Sequence, residues 1–342
     1  MTNKLLLTAG IIGLGVGERH IDGYEADPRC RVKTICDIDP DKLKDVSTRY
    51  PGRNLVTDPL DVLDDPEIDV VSIASYDDAH YKQIVRALTN KKHVFVEKPM
   101  CLFRDELDDI AAHLNADPSL HLSSNLILRK SPRFIDLKKT IEQGDFGDVY
   151  YVEADYNYGR VEKILTGWRA HQEYHSVIHG GGIHMIDLLL WLTNKPIVEV
   201  TAFGNNIATR DRGFKRNDLI AALLRFEDGS IGKVTANYAC VFPHYHNLSI
   251  YGMDKTFIQN HNGGASLYTS RDPGVEPTSI DSSYPGAVKG DMIPAFIRSI
   301  LDGTEQDVSA QEVFDAMNVS LAIEESLLSG KTTPIPLYKI IR

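Results

Sequence analysis

Up to Asn125 the chain alternates short apolar runs with stretches of helical periodicity. Thr8–Ile12, Val32–Cys36, Val70–Ala74, His93–Val96 and His121–Ser124 read as strands. Arg19–Glu25, Asp41–Arg49, Asp78–Thr89 and Arg104–Leu114 read as the helices between them. This alternation predicts a parallel sheet, because parallel neighbours need crossover connections. Asp58–Asp69 is acidic and holds Pro59 and Pro66, so it reads as loop with one helical turn.

Beyond Asn125 the rhythm changes. A helix over Arg133–Glu142 ends at Gly144, and extended runs follow at Val149–Tyr158, Ile197–Gly204, Leu219–Phe226, Ser230–Tyr238 and Leu248–Tyr251. Glu227-Asp228-Gly229 is a short hairpin turn between two of them. The pattern predicts an antiparallel or mixed sheet interrupted by one helix at Ile183–Leu192. Asp291–Leu301 and Ala310–Leu328 read as helices; Ser309-Ala310-Gln311-Glu312 is a capping box for the second, and Gly330 its C-terminal cap. Asn260–Gly286, rich in Gly, Ser and Pro, reads as a long surface loop.

The totals refine this picture in three ways. A length of 342 residues points to two domains, residues 1–125 and 126–342, with the C-terminal helices able to pack back on the first. A net charge of 37 − 48 = −11 argues against a nucleic-acid or anionic-membrane surface. Cys30, Cys36, Cys101 and Cys240 form no C-x-x-C pair, which favours reduced thiols and a cytoplasmic protein. The apolar stretch Leu5–Val16 imitates a signal-peptide core, but Gly10, Gly13 and Gly15 interrupt it and Glu18-Arg19-His20 follows, so it reads as strand and turn.

Two local patterns carry chemistry. Gly13-Leu14-Gly15-Val16-Gly17 joins a predicted strand to a predicted helix. Glycines there permit a tight turn and let backbone N–H groups approach a pyrophosphate. Asp37 follows Gly17 by 20 residues, at the end of the second strand, where a carboxylate accepts ribose hydroxyls and repels a 2′-phosphate. Ile38-Asp39-Pro40 brings no basic residue immediately after it, which favours NAD over NADP. The competing reading of Asp37 is a helix cap. Lys98, in Glu97-Lys98-Pro99 after the run His93–Val96, stands at the carboxyl edge of a buried strand, where open α/β sheets bind ligands.

Together these and later segments resemble the glucose–fructose oxidoreductase / inositol dehydrogenase (Gfo/Idh/MocA) family. The matching pieces are Gly13-Leu14-Gly15 with His20, Cys36-Asp37-Ile38-Asp39-Pro40, Ala74-Ser75-Tyr76-Asp77-Asp78-Ala79-His80, Glu97-Lys98-Pro99, Ser124-Asn125 with Arg129 and Pro132, Gly167-Trp168-Arg169, and Gly180-Gly181-Gly182 leading into His184-Met185-Ile186-Asp187. The resemblance implies a Rossmann domain followed by an α/β domain with a large open, mostly antiparallel sheet. It also implies a homodimer or homotetramer formed through that sheet. The implied activity is NAD(P)-dependent oxidoreduction at the CH–OH of a sugar, a cyclitol or a nucleotide-linked sugar.

On this resemblance Lys98 polarises the substrate oxygen and His184 is the acid/base. Gly13, Gly15, Gly17, Asp37, Ser75, His80, Glu97, Lys98 and Asn125 bind the cofactor, and Trp168, Arg169, His184 and Asp187 join Lys98 around the substrate. Simpler roles compete: His184 as a satisfied core histidine, Asp187 in helix packing, Trp168 as a core anchor, His80 as a helix-start residue. The chain departs from the family at Gly180, where an aspartate is common; His179, His175 and Tyr174 are candidates for its role. His171, His175 and His179 have the i, i+4, i+8 spacing of a zinc-binding helix face, but a polar substrate wall is the preferred reading and no metal is expected. A non-catalytic NAD sensor, or a lyase or glycosidase that retains NAD, are the alternatives.

Overall fold

The computed structural model describes residues 6–259 and 263–341. Leu5, at the start of the signal-like run, and residues 260–262, at the start of the expected long loop, lie outside the described residues. The chain divides into two compact units: Met1–Ile127 with Val288–Phe314 and Tyr338–Arg342, and Leu128–Ala287 with Asp315–Leu337. The second unit is therefore not one continuous stretch.

The first unit is built on strands β1 (Leu7–Ile12), β2 (Cys30–Cys36), β3 (Asn54–Val56), β4 (Val70–Ile73), β5 (His93–Val96) and β6 (Leu122–Ser124), with helices α1 (Glu18–Glu25), α2 (Pro40–Arg49), α3 (Leu60–Leu63), α4 (His80–Thr89) and α5 (Arg104–Ala116). All pairings are parallel, in the order β3-β2-β1-β4-β5-β6. This is the doubly wound order, with its switch point between β1 and β4. β1 and β4 are buried along their whole length, as a sheet covered on both faces requires. β3 is the one strand here that the hydrophobic pattern misses. It is three residues long and exposed, so pairing to β2 makes it a strand rather than any apolar run.

The second unit contains α6 (Pro132–Glu142), β7 (Val149–Asn157), α7 (Glu162–Leu165), α8 (Ile183–Thr193), β8 (Ile197–Asn205), β9 (Leu219–Phe226), β10 (Ile231–Asn237), β11 (Tyr245–Gly252), β12 (Thr256–Gln259), β13 (Ala265–Tyr268) and β14 (Thr278–Ile280). After α9 (Ile293–Asp302) in the first unit, α10 (Ala310–Ser329) carries the chain back, and β15 (Thr333–Pro334) completes a nine-stranded sheet of order β14-β13-β12-β11-β7-β10-β9-β8-β15. Among the described residues every pairing in this sheet is antiparallel except that of β7 with β10. Along β7 buried positions alternate with more accessible ones, so one face of the sheet is a core and the other is open. The almost wholly apolar α8 is buried nearly all round and packs on β7 and β10.

Local chemistry explains the boundaries. Gly229, at φ +88°, makes the β9–β10 turn, with Phe226 and Ser230 bonded across it. The capping box forms: Ser309 N–H donates to Glu312 Oε2 at 2.8 Å and Glu312 N–H to Ser309 Oγ at 3.3 Å. The expected long loop is the main difference. Within 263–286 the chain forms β13 and β14, which extend the sheet; Gly, Ser and Pro mark its turns, while the strands arise from pairing, β13 with β12 and β14 with β13. All four cysteines are free thiols.

Candidate functional site

The turn after β1 is shaped by its glycines. Gly13 has φ +86°, and a Cβ there would lie 2.3 Å from the carbonyl oxygen of Ala74; one on Gly17 would lie 2.1 Å from that of Gly13. Gly15 is different, since a Cβ there would meet nothing nearer than Lys42 Nζ at 3.9 Å. The loop thus closes tightly at its ends and leaves an open backbone cradle in the middle, at the N-terminus of α1. Asp37 braces it: one carboxylate oxygen accepts the Leu14 N–H at 2.7 Å and the other the Asp39 N–H at 3.0 Å. Lys42 Nζ stands 3.4 Å from the same carboxylate, a basic neighbour that the residues directly after Asp37 did not foretell.

At the carboxyl edges of β4, β5 and β6 lies a buried polar network. His20 Nδ1 meets Ser72 Oγ at 2.7 Å, and its Nε2 is 3.4 Å from Glu97 Oε1. Asn125 Nδ2 donates to Glu97 Oε1 at 2.7 Å. Burial alone would raise the Glu97 carboxyl; the His20 contact and the charges of Lys289, His20 and Lys98 outweigh it and hold the group well below the usual carboxylate range. Lys98 itself is half-buried and begins a cis peptide to Pro99. Asn125 Oδ1 is buried with no hydrogen-bond partner among the described residues. Ser75 donates to Gln83 at 2.8 Å. His80 is fully buried, with Nδ1 2.7 Å from the carbonyl of Pro99 and Nε2 3.1 Å from that of Ser75. It ties the loop after β4 to the loop after β5.

In the second unit His184 opens α8 and is half-buried. Its ring stacks near Tyr156, with centroids 6.3 Å apart. Tyr156 is the hub of an aromatic wall, with Tyr158 at 5.8 Å, Tyr238 at 5.9 Å, His244 at 5.3 Å and His246 at 5.2 Å. Burial, with a further contribution from His244, pushes His246 down to about 3, so its ring is neutral; it also hydrogen-bonds the Tyr284 hydroxyl. Sequence reasoning missed this wall. Its signal is the period of two in Tyr156-Asn157-Tyr158 and His244-Tyr245-His246, which puts alternate residues on one face of β7 and at the start of β11.

Asp187 is expected at the substrate, and the structure places it beside a cation. It is fully buried and paired with Arg129, whose Nη2 lies 2.6 Å from Asp187 Oδ1 and whose Nε is 3.1 Å from both oxygens. Trp168 and Arg169 sit together in a short turn, the guanidinium carbon 4.3 Å from the indole centroid. The helical spacing of His171, His175 and His179 is not realised: His171 ends one short turn, His175 follows in irregular chain, and His179 belongs to a π turn over Ile178–Gly182. Among the described residues no group of three or more His, Cys, Asp or Glu is arranged to hold a metal.

Residues 7–121 match the model of an oxidoreductase family with an NAD-binding Rossmann fold, and residues 134–258 match the GFO/IDH/MocA C-terminal domain. The chain belongs to the GFO/IDH/MocA family. Among its relatives is an uncharacterized oxidoreductase of Bacillus subtilis (strain 168), YrbE, 24% identical over 98% of each chain. Another is the myo-inositol 2-dehydrogenase of Thermotoga maritima, 25% identical over 71% of this chain and 72% of that one. A solved levoglucosan dehydrogenase in complex with NADH and levoglucosan superposes with a TM-score of 0.80 at 20% identity, covering 96% of this chain and 99% of that one.

As in other members of the GFO/IDH/MocA family, the first unit is an NAD-binding Rossmann domain. Its residues fit that cofactor: the cradle at Gly15 is open, α1 points its N-terminus at it, and the orphaned Asn125 oxygen stands at the sheet edge. The departure from the family at Gly180 also has a physical account. A Cβ at Gly180 would lie 2.8 Å from His175 Cε1 and 2.9 Å from the Tyr238 hydroxyl. Of the three residues considered for the missing aspartate, His175 is the one whose ring fills that space.

Proposed function

We propose that the protein is an NAD-dependent dehydrogenase or ketoreductase acting on a secondary alcohol of a sugar, cyclitol or nucleotide-linked sugar. The observation that carries this reading is the anchoring of Glu97-Lys98-Pro99 at the sheet's carboxyl edge, where Asn125 and His20 hold Glu97 in place. When bound, NAD supplies the hydride acceptor. Gly13, Gly15, Gly17 and Asp37 would hold it, Ser75 and His80 would shape the edge beside it, and Asn125 Oδ1 would offer it a hydrogen-bond acceptor. Lys98 donates to the substrate oxygen and stabilises the developing alkoxide. His184 takes the hydroxyl proton during oxidation and returns it during reduction. The relatives named as inositol and levoglucosan dehydrogenases support a polyol substrate.

The second unit is the substrate domain, with Trp168 and Arg169 in the substrate wall and Asp187 anchoring the helix that carries His184. Its open sheet face exposes Phe203, Ala221 and Leu223, and joins copies into a homodimer or homotetramer. Among the described residues no helix is long and apolar enough to cross a membrane. The test is NADH formation from NAD with a panel of sugars, cyclitols and nucleotide sugars. Turnover with at least one member is expected. NAD binding without turnover on any of them would overturn the proposal in favour of a sensor.

A further inference from the structure

The chain has a net charge of −11, and arginines in its second unit are mostly occupied. Arg129 pairs with Asp187, Arg212 with Glu162 and Arg225 with Glu199, while Arg133 donates to Gln259 and to backbone carbonyls. Arg216 lies over Tyr174 and its charge acts on the half-buried Glu324. Arg160 and Arg169 are different. Among the described residues neither makes an ion pair or a side-chain hydrogen bond. Each lies over an aromatic ring instead: Arg160 is 5.4 Å from the Tyr158 centroid and Arg169 is 4.3 Å from that of Trp168.

An aromatic platform holds a guanidinium in place while leaving its donors in the ring plane for a planar acceptor. Nε of Arg169 is buried and without an acceptor, a costly arrangement unless a ligand completes it. Both cations also act on the Tyr156 hydroxyl, and Tyr156 is the ring stacked near His184. Two unspent positive charges therefore flank the aromatic wall that carries the proposed acid/base residue.

We infer that Arg160 and Arg169 receive a carboxylate or phosphate carried by the substrate, which makes that substrate an acidic sugar derivative rather than a neutral polyol. This rests on the proposed dehydrogenase function and adds the substrate's charge to it. Guanidinium forks match both anions, and such charge-assisted bonds separate them from neutral analogues by about tenfold or more.

The test is calorimetric titration of the NADH-saturated protein with D-glucuronate, D-glucose 6-phosphate and D-glucose. The expected result is that at least one acid binds tenfold or more tighter than glucose, with the margin shrinking as salt is added. Which acid wins distinguishes carboxylate from phosphate. R160A and R169A are each expected to bring the acid towards the affinity of glucose, and R169K to keep part of the preference. Equal binding of all three sugars, no binding by either acid, or variants that weaken acid and neutral sugar alike would each overturn the inference. Turnover separates the two proposals. Tight acid binding without NADH formation from any substrate refutes the oxidation and leaves the anion site standing. Oxidation of neutral polyols with no acid preference does the reverse.

Discussion

The two units organise their polar chemistry in opposite ways. At the carboxyl edge of the first sheet, directional hydrogen bonds fix the groups: His20 to Ser72, Asn125 to Glu97, His80 to two loop carbonyls. In the second unit the corresponding role falls to rings, with Tyr156 near five others and five guanidiniums lying on aromatic faces. Hydrogen bonds fix an atom's position, whereas ring contacts fix a surface and leave freedom within it. The contrast suits a unit that serves one invariant cofactor and, on the proposed function, a unit that accommodates a particular sugar.

The sharpest way to break this contrast is at Lys98. K98A is expected to lower turnover by about 1,000-fold, the cost of losing a preorganised charge on the reacting oxygen, while NAD affinity, read by fluorescence titration, stays within several-fold. Unchanged turnover would remove Lys98 from the chemistry. H184A should cost at least the ~100-fold typical of an acid/base residue in kcat; a twofold change would mean that another group moves the proton.

Smaller effects probe the ring-built wall. G180D restores the residue common in the family but drives it into His175 and Tyr238. Overpacking of this kind costs about 1–3 kcal/mol, so thermal unfolding should show a lower Tm; an unchanged Tm would mean that the wall yields easily. The last prediction concerns pH. His246 binds no proton in the fold above about 3, whereas an unfolded histidine takes one below about 6.5. Between these values the unfolded state holds more protons, so stability falls as pH drops through the window, by up to about 1.4 kcal/mol per pH unit. Glu97, whose carboxyl is depressed, adds loss in the same direction only below the ordinary glutamate range. Denaturant titrations of H246Q across this window should show a shallower slope than the wild type, and an identical slope would contradict the assignment.

The same contrast explains what the sequence disclosed. Parallel strands buried on both faces leave uninterrupted apolar runs, so β1, β2, β4, β5 and β6 were legible within a residue or two, as was the glycine turn that needs Gly13. β3, β12, β13, β14 and β15 were not, because such short strands owe their existence to their partners rather than to their own residues. Lys98 and His184 stand out through the family resemblance. The His20–Glu97–Asn125 network and the Tyr156 wall were not, since they join residues far apart in the chain. His80 and Asp187 show the limit of motif reasoning: each stands where the pattern put it, yet the first is bonded to two carbonyls and the second to Arg129.

The central claim is that the substrate's carbinol hydride passes to NAD under the control of Lys98. It is tested most directly by single turnover of an accepted sugar deuterated at its carbinol carbon. The account predicts that deuterium appears in the reduced cofactor, with a primary isotope effect, in the wild type and not in K98A. Deuterium returned to the carbinol carbon of the product, with no accumulated reduced cofactor and with solvent exchange at the neighbouring carbon, would contradict net dehydrogenation and point to transient oxidation in a lyase or glycosidase.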